Sequence, residues 1–537
     1  MPTLQFKGKN IIWNHHLSVP YHTLDEAPKL HYHPETTAGN LIIEGDNLLA
    51  LKALLPQYTG KIKCIYIDPP YNTGNENWVY NDNVNNPMIK EWLGKEVGKD
   101  DLTRHDKWLC MMTPRLKLMR DLLIDDGVIF ISIDDNEQHN LRQVMDQIFG
   151  EDNFIANIIW QKIHSTKNDA KYLSDNHEYI LLYAKNIENI TINLLERTSK
   201  MNERYSNPDN DPRGDWSSGD LVASEERKEG YYEVTGPTGK IFNVPQGKHW
   251  VYSQENLKQM IIENRIWFGK DGTAFPRLKR FLSEVQQGKK SDTIWINTEV
   301  GHNQEATREI RSIFSDEIEL AFDTPKPVRL INRILQLGTD KEDTILDAFA
   351  GSGTTMHAVM DLNKEDGGDR KCILIQAVEA TTDDPKKNIC KDITRERIKR
   401  AIDKYNYKSG FRYFKVGIPI DAETILSGQL PTYKQFAEYV YYLCTGNSLP
   451  DKKTIDEKSY YVGSCNRNVI YLLYKQNFDT LTKMPLNFDM AEQLIKANPG
   501  KRIIVYAPAC FLDDDYMKDN NIDFVGIPYN LFSRISS

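Results

Sequence analysis

Several features of membrane and secreted proteins are missing from this chain of 537 residues. No apolar run approaches the roughly 18 residues that a membrane-spanning helix needs. Residues 1–16 lack the charged-then-apolar order of a signal peptide. The seven cysteines are scattered and never spaced as C-x-x-C, which argues against a disulfide framework and a structural zinc site. We therefore expect a cytoplasmic protein.

The chain also lacks an excess of positive charge, because 67 Lys and Arg face 76 Asp and Glu, a net charge of −9. Any DNA-binding function would then depend on a local basic face. No G-x-x-x-x-G-K-[ST] motif occurs, which excludes an ordinary nucleotide triphosphate P-loop. Five of the twelve histidines lie in the first forty residues without ligand spacing, so we predict no metal site.

Strand-like and helix-like patterns alternate from residue 41 onwards, which predicts an α/β fold. The apolar run 41–46 ends in turn residues. A helical pattern follows over 47–56, and Pro56 is expected to end it. The order breaks down in a polar stretch after residue 196 and resumes near 324. A small mixed domain of its own is predicted beyond about residue 415.

One glycine-rich turn, DAFAGSGTT at 347–355, follows the apolar residues TIL. A strand that ends in such a turn and continues as a helix brings backbone N–H groups close to a ligand. Two threonines stand where a P-loop would carry its lysine, so a nucleoside ligand without a triphosphate fits better. The alternative is a plain strand–helix connection.

A second motif, Asp68-Pro69-Pro70-Tyr71, ends the apolar strand CIYI. Proline has no N–H to donate, so Pro69 presents only a carbonyl oxygen, while Asp68 offers a carboxylate and Tyr71 a flat ring. Two acceptors and a stacking surface suit the exocyclic amino group of a nucleobase. The alternative is a plain polyproline turn. The position of the motif at the end of a strand favours a functional site, because ligands bind at the carboxyl ends of strands in α/β sheets.

Together these motifs resemble those of S-adenosylmethionine-dependent amino-methyltransferases of DNA. The order, with DPPY first, is similar to the β-type arrangement, and the DPPY form implies adenine N6 as the target. More closely, five segments resemble the Mod subunit of type III restriction–modification systems. They are GDNLLALKAL, IDPPYNTGN, SDNHEYILLYAKN, TPKPVRLINRIL and DAFAGSGTTMHAVM.

The resemblance implies a permuted Rossmann-like methyltransferase sheet with an inserted target-recognition domain and a small C-terminal α/β domain. LIIEGD and CIYIDPPY would be its third and fourth strands, and TILDAFAG and CILIQAVE its first and second. The expected domains are an N-terminal extension at 1–37, a catalytic half at 38–200, the insertion at 201–311, a cofactor half at 312–415 and a C-terminal domain at 416–537.

The resemblance also assigns roles to residues around S-adenosylmethionine. Asp46 would accept from the cofactor's adenine amino group, although a plain helix N-cap explains it equally. The family usually carries an acid for the ribose at the end of the second strand, and here Gln376 and Glu379 are both candidates. The full expected set is Asp46, Asn72, Lys326, Pro327, Asp347, Phe349, Ala350, Gly351, Ser352, Gly353, Thr354, Thr355, Gln376 and Glu379.

The implied chemistry is direct methyl transfer to N6 of an adenine that has left the duplex stack. Asp68 and the Pro69 carbonyl would accept the two N6 hydrogens, and Tyr71 would stack on the base. Pro70 would stiffen the motif. The asparagine-rich stretch 72–106 is a candidate for closing over that base.

The stretch 240–290 carries ten basic and four acidic residues, a net charge of +6, with aromatic residues interleaved. It is the expected contact with double-stranded DNA, the alternative being a solvated face. The candidate DNA-binding residues are Lys248, Arg265, Lys270, Arg277, Lys279 and Arg280.

The family resemblance implies a homodimer and a helicase–nuclease partner subunit, Res. An enzyme without that partner fits the same residues. Two further hypotheses stay open at this point: a cytosine-N4 methyltransferase, and a DNA-recognition subunit that serves a nuclease with weak or lost methylation.

Overall fold

The computed structural model describes residues 3–36, 39–74, 103–165, 170–224, 229–285, 288–314, 325–379 and 386–527. The chain forms two compact units. One contains residues 1–192 and 292–537, and the other contains residues 193–291.

The strands are given in chain order. They are β1 His22–Glu26, β2 Leu41–Glu44, β3 Ile62–Ile67, β4 Leu123–Ile133, β5 Phe154–Gln161, β6 His177–Ala184, β7 Trp216–Gly219, β8 Val222–Ala223, β9 Val234–Thr235, β10 Ile241–Phe242, β11 His249–Trp250, β12 Ile266–Trp267, β13 Arg277–Phe281, β14 Ile294–Trp295, β15 Thr344–Asp347, β16 Lys371–Gln376, β17 Arg412–Pro419, β18 Tyr461–Cys465, β19 Asn468–Leu472, β20 Arg502–Ala507 and β21 Ile522–Gly526.

The α-helices are referred to by their bounds. They are Lys9–Ile12, His15–Ser18, Asn47–Tyr58, Arg104–Leu122, Gln138–Phe149, Ser199–Asn202, Gln254–Ile262, Asn297–Val300, Asn303–Phe314, Val328–Gly338, Thr354–Asp366, Glu396–Tyr405, Ala422–Leu426, Tyr433–Thr445, Phe478–Leu481, Phe488–Ala497 and Asp514–Asp519. A π-helical segment, Ile389–Arg395, precedes the helix Glu396–Tyr405.

The large unit is built on a ten-stranded sheet in the order β1-β17-β2-β16-β15-β3-β4-β6-β5-β14. Strands β2, β16, β15, β3 and β4 run parallel to one another. The predicted third, second, first and fourth strands are therefore neighbours in that order, although β15 and β16 come last along the chain. The permuted methyltransferase sheet expected from the sequence is confirmed.

The register of this sheet determines which residues meet at its carboxyl edge. Ile345 and Leu346 of β15 pair with Cys64 and Ile65 of β3, and all four are buried. The paired residues of these strands are apolar because both faces of a parallel sheet are covered. The chain that follows β15 therefore emerges beside the chain that follows β3.

Two helices on the sheet run through prolines. The helix Asn47–Tyr58 continues past Pro56, where the sequence analysis expected its end. Pro114 likewise lies inside the single helix Arg104–Leu122. Proline in a helix interior costs about 3 kcal/mol. Burial of both prolines against the core offsets that cost.

The smaller unit consists of short antiparallel sheets around its own apolar core, which includes Phe242, Trp250 and Phe268. It ends at residue 291, before the predicted boundary at 311. The chain has already returned to the large unit there, because β14 pairs in parallel with Ile159 and Trp160 of β5. The following helix Asn303–Phe314 packs against the helix Glu396–Tyr405 of the same unit.

The C-terminal region has a four-stranded sheet of its own, β18-β19-β20-β21, yet it belongs to the large unit. The helix Tyr433–Thr445 joins the two sheets, and the ring of its Tyr439 lies 4.2 Å from that of Tyr21. The expected boundary at 415 falls inside β17, whose residues 412–415 pair with β2. Within the described ranges, no helix is long and apolar enough to cross a membrane.

Candidate active site at the carboxyl edge of the sheet

A compact polar cluster surrounds Asp68, just beyond the end of β3. The Lys326 ammonium donates to both carboxylate oxygens of Asp68, at 2.9 and 2.7 Å, and to the Tyr71 hydroxyl at 3.0 Å. Tyr71 Oη lies 2.8 Å from Asp68 Oδ1 and 3.0 Å from Glu178 Oε2. Glu178 belongs to β6 and also lies 3.5 Å from Lys326 Nζ. Two carboxylates, one ammonium and one hydroxyl thus form a single network.

Burial determines the protonation chemistry of this network. It raises the pKa of Asp68, an effect that Lys326 opposes. Burial would by itself lower the pKa of Lys326, but Asp68 and Glu178 together raise it above its ordinary value. Lys326 therefore stays charged, and its charge favours the ionised form of Asp68, the form that accepts hydrogen bonds.

A hydrogen bond from Trp108 fixes the backbone of the Pro69-Pro70 dipeptide. The indole N–H of Trp108, a fully buried side chain, donates to the Pro70 carbonyl at 2.7 Å. The Pro69 ring is buried. This contact fixes the turn that carries Asp68 and Tyr71 against the helix Arg104–Leu122.

Asn72 has a left-handed φ of 59°, and its side-chain amide donates to Glu137. Glu137 is fully buried and also contacts His105 Nδ1 at 2.6 Å and Asn140 Nδ2 at 2.8 Å. Burial raises the pKa of Glu137. Asn72 was expected at the cofactor. Its amide nitrogen is joined to Glu137, and the cofactor role stays a prediction.

The glycine turn follows β15 and begins with a buried carboxyl group. Asp347 accepts from the Thr355 hydroxyl at 2.5 Å and from the Phe349 backbone N–H at 3.0 Å. Burial raises the pKa of Asp347 to about 7. Gly351 and Gly353 have φ of 52° and 82°, a region that disfavours side chains, so the tight turn requires glycine.

A buried arginine, Arg397, also supports this turn. One terminal nitrogen of Arg397 donates to the hydroxyls of Ser352 and Thr354, both at 2.7 Å. Its Nε and other terminal nitrogen have no hydrogen-bond partner among the residues that the structure describes, and burial lowers the pKa of Arg397 to about 10. Thr394, in the π-helical segment, donates to the Gly351 carbonyl at 2.6 Å. π-Helical turns are frequent at functional sites.

Asp46 follows β2 and caps the helix Asn47–Tyr58, since its Oδ1 accepts from the backbone of Leu48 and Leu49. Its other oxygen lies 3.4 Å from Arg115. The N-cap role is therefore present, and the side chain remains partly exposed at the carboxyl edge.

Both polar ends of Gln376 are in use. Its Oε1 accepts from the Gly351 N–H at 2.7 Å, and its amide donates to Glu379 Oε1 at 2.7 Å. Glu379 is exposed and has a left-handed φ of 58°. Of the two ribose candidates, Gln376 shapes the turn, whereas Glu379 faces solvent.

The remaining cofactor candidates hold the turn in place. The Ala350 N–H donates to the Ile375 carbonyl, and Pro327 caps the helix Val328–Gly338. The Thr354 hydroxyl contacts the Lys326 carbonyl at 3.2 Å. Lys326 thus lies between the two motifs, with its backbone at the glycine turn and its ammonium on Asp68. The sequence analysis expected it only beside the cofactor.

The six candidate DNA-binding residues divide into two groups. Lys248, Lys270 and Arg280 are exposed. Lys279 is instead buried and paired with Asp209 and Asp211, so its ammonium is not available to phosphate. Its prediction as a DNA contact is corrected, because the neutralising acids lie outside the basic window.

The two remaining arginines are paired as well. Arg265 lies 2.7 Å from Glu284, and Arg277 is bonded to Asp220. Across residues 193–291, sixteen basic residues face fourteen acidic ones, which leaves a net charge of only +2. The window 240–290 overstated the positive charge of the folded unit.

Sequence reasoning missed Glu178, Glu137, Thr394 and Arg397 as parts of the site. Glu178 lies in the H-E-Y sequence that begins β6, a position that an antiparallel partner of β4 brings to the carboxyl edge. Arg397 lies in an amphipathic helix with no motif of its own. Among the described residues, no group of three or more His, Cys, Asp or Glu is arranged to hold a metal ion.

Comparison with known proteins agrees with this geometry. The sequence profile of the family described as DNA methylase matches residues 62–403. The chain is 36% identical to the type III restriction-modification enzyme StyLTI Mod subunit of Salmonella typhimurium, over 75% of this chain and 62% of that protein.

Two further relatives are covered more completely. The chain is 31% identical to the type III restriction-modification enzyme EcoP15I Mod subunit of Escherichia coli, over 74% of this chain and 69% of that protein. It is also 31% identical to the type II methyltransferase M.KpnI of Klebsiella pneumoniae, over 76% of this chain and 93% of that protein. With the family profile matched over more than half of its length, the chain belongs to the DNA methylase family.

Proposed function

We propose that this chain transfers a methyl group from S-adenosylmethionine to adenine N6 in DNA, as the modification subunit of a type III restriction–modification system. The observation that carries the proposal is the network of Asp68, Tyr71, Lys326 and Glu178 directly beside the glycine turn. The similarity to two Mod subunits supports the type III assignment.

The residues at the sheet edge fit S-adenosylmethionine. This molecule carries an ammonium group, a carboxylate, a sulfonium, a ribose and an adenine. Asp347 offers an anion to the ammonium, and the turn at Gly351 and Gly353 leads into the helix Thr354–Asp366, whose positive N-terminal end suits the cofactor's carboxylate. Glu379 offers a carboxylate to the ribose hydroxyls, and Asp46 one to the adenine amino group. When bound, the cofactor supplies an electrophilic methyl group.

The protein's own part in the reaction is to hold and polarise the target amino group. Asp68 and the Pro69 carbonyl accept the N6 hydrogens, which moves the nitrogen lone pair out of conjugation with the ring. The proton released from N6 passes to Asp68, which Lys326 keeps ionised beforehand. Tyr71 supplies the ring on which the displaced base stacks, an interaction of about 1–3 kcal/mol. Fixed acceptors at the site of developing positive charge supply most of the acceleration.

DNA contact is proposed for the exposed basic residues of the inserted unit, Lys248, Lys270 and Arg280. Pairing of the chain as a homodimer and assembly with a helicase–nuclease subunit are likewise proposals, supported by the resemblance to Mod subunits. Light scattering of the purified protein tests whether it forms a homodimer. Co-purification with a subunit encoded beside this chain's gene tests the assembly with a helicase–nuclease subunit.

The test is mass analysis of nucleosides after incubation of the protein with unmethylated genomic DNA and S-adenosylmethionine. We expect N6-methyladenine from the wild type and none from Asp68→Ala. Asp125→Ala serves as the control, because Asp125 is a 77% exposed carboxylate at the opposite end of the sheet. N4-methylcytosine would transfer the proposal to the other base. DNA binding without any methylated nucleoside would identify a recognition subunit.

A further inference from the structure

The loop between β5 and β6 carries two large apolar side chains in full contact with solvent. Tyr172 is 82% exposed and Leu173 is 91% exposed, the two highest values among the large hydrophobic residues of the described structure. Two adjacent exposed apolar side chains of this size are available to contact a binding partner. Lys171 lies beside them, with its ammonium 5.0 Å from the Tyr172 ring.

The strand directions bring this loop to the catalytic edge of the sheet. β6 runs antiparallel to β4, and Tyr179 near its start pairs with Ile133 at the carboxyl end of β4. The loop leaves β5 after Gln161, which pairs with His177. It therefore projects from the same edge as Asp68 and the glycine turn.

A chain of contacts joins the loop to the catalytic network. The Lys162 ammonium lies 3.0 Å from Asp175 and 3.5 Å from Glu178. Glu178 in turn contacts the Tyr71 hydroxyl. Leu173 is two residues from Asp175, and two residues of fully extended chain span about 7 Å. The backbones of Leu173 and Asp175 therefore lie within about 7 Å of each other.

From this placement we infer that Tyr172 and Leu173 enter the DNA stack and occupy the space that the target base leaves. The inference rests on the proposed function, because an enzyme that extrudes its target base leaves a gap in the stack for such a wedge to fill. Apolar side chains inserted between base steps are a general means of unstacking a duplex. Lys171 is available for the adjacent phosphate, since a cation beside an apolar wedge suits the polyanionic backbone.

The experiment compares two unmethylated duplexes that contain the sequence in which the enzyme methylates adenine. One is fully paired, and the other has an abasic position opposite the target adenine. The second duplex lowers the cost of extrusion, because the target base has no partner to leave. We expect the double variant Tyr172→Ala/Leu173→Ala to methylate the paired duplex at least tenfold more slowly than the wild type. On the abasic duplex the rates should agree within about threefold. The single variant Tyr172→Phe, which keeps the flat ring, should retain most of the wild-type rate on paired DNA.

A second measurement follows the base itself. With 2-aminopurine in place of the target adenine, binding of the wild type should raise its fluorescence, and the double variant should raise it much less. Phe511→Ala is the matched control, because Phe511 is a 74% exposed aromatic residue on the C-terminal region. It should match the wild type on both duplexes.

Two results would overturn the inference while leaving the proposed function standing. One is an unchanged rate on paired DNA, and the other is an equal loss on both duplexes. A wild-type protein that forms no N6-methyladenine on either duplex would overturn the proposed function, and the wedge with it. Melting temperatures of all variants confirm that the fold is intact.

Discussion

Replacing Lys326 by methionine tests the central feature of the site, the ammonium on the proposed catalytic carboxylate. Methionine keeps the length of the side chain and removes its charge. Asp68 would then be buried close to Glu178 without a cation between them. Since burial already raises the pKa of Asp68, we expect the variant to hold this carboxyl group protonated at neutral pH.

The size of the effect follows from the contacts that disappear. Lys326 makes two charge-assisted hydrogen bonds to Asp68, at 2.9 and 2.7 Å. At the lower end of the usual range, about 1.5 kcal/mol each, their loss amounts to about 3 kcal/mol. At about 1.4 kcal/mol per factor of ten, kcat at pH 7 should fall on the order of 100-fold.

The assay is a pH profile of single-turnover methylation for the wild type, Lys326→Met and Lys326→Arg. In the methionine variant the rate should rise steadily with pH, because Asp68 ionises only at higher pH. The arginine variant should keep most of the activity and the wild-type profile, since a guanidinium also pairs with a carboxylate. A loss of equal size at every pH would refute the electrostatic role of Lys326. It would indicate that the side chain acts only by packing.

Three further predictions concern the glycine turn and the inserted unit. Arg397→Met should weaken S-adenosylmethionine binding, measured by calorimetry, about 10- to 100-fold. The melting temperature should stay level or rise, because the substitution removes a partly unpaired buried charge. A lower melting temperature with unchanged affinity would contradict this prediction. The cofactor's dissociation constant should increase about tenfold from pH 8 to pH 6, because Asp347, with a pKa of about 7, loses its charge as pH falls; Asp347→Asn should abolish that dependence. Lys279→Ala should lower the free energy of unfolding by about 3 kcal/mol, because it leaves buried carboxylates unpaired. Lys270→Ala and Arg280→Ala should leave the stability unchanged and weaken DNA binding in a filter assay. A Lys279→Ala protein of unchanged stability would contradict the buried ion pair.

The positions of the central strands could be predicted from the sequence because they are short apolar runs. Their order in the sheet could be expected only through the resemblance to DNA methyltransferases, because an apolar run does not indicate which strand it will pair with. The ends of helices were less predictable. Pro56 and Pro114 stop helices by local rules, but tertiary burial overrides those rules here.

The candidate site was predictable wherever chemistry and local sequence coincide. Asp68, Tyr71 and the glycine turn each stand in a recognisable motif. Glu178 stands in the segment SDNHEYILLYAKN, but that segment alone does not reveal its contact with Tyr71. Arg397 stands in no motif, and the partners of both residues lie more than forty positions away. The contact between Asn72 and Glu137 could not be predicted, because the two residues are 65 positions apart.

The inserted unit shows why a charge count along the chain can mislead. The net charge of +6 over residues 240–290 is a property of a window, whereas binding depends on charge that remains unpaired after folding. Asp209 and Asp211 lie outside that window and neutralise Lys279. Asp220 does the same for Arg277. Sequence position alone does not reveal such pairing, because the partners come from another strand or loop.

The permuted chain order has a physical consequence for the site. Asp68 and Gly351 are 283 residues apart, yet pairing of β3 with β15 sets them side by side at one edge. Lys326 precedes β15 and lies between them, with its carbonyl on Thr354 and its ammonium on Asp68. A single residue therefore contacts both motifs, which makes Lys326 the physical link between the two halves of the sheet.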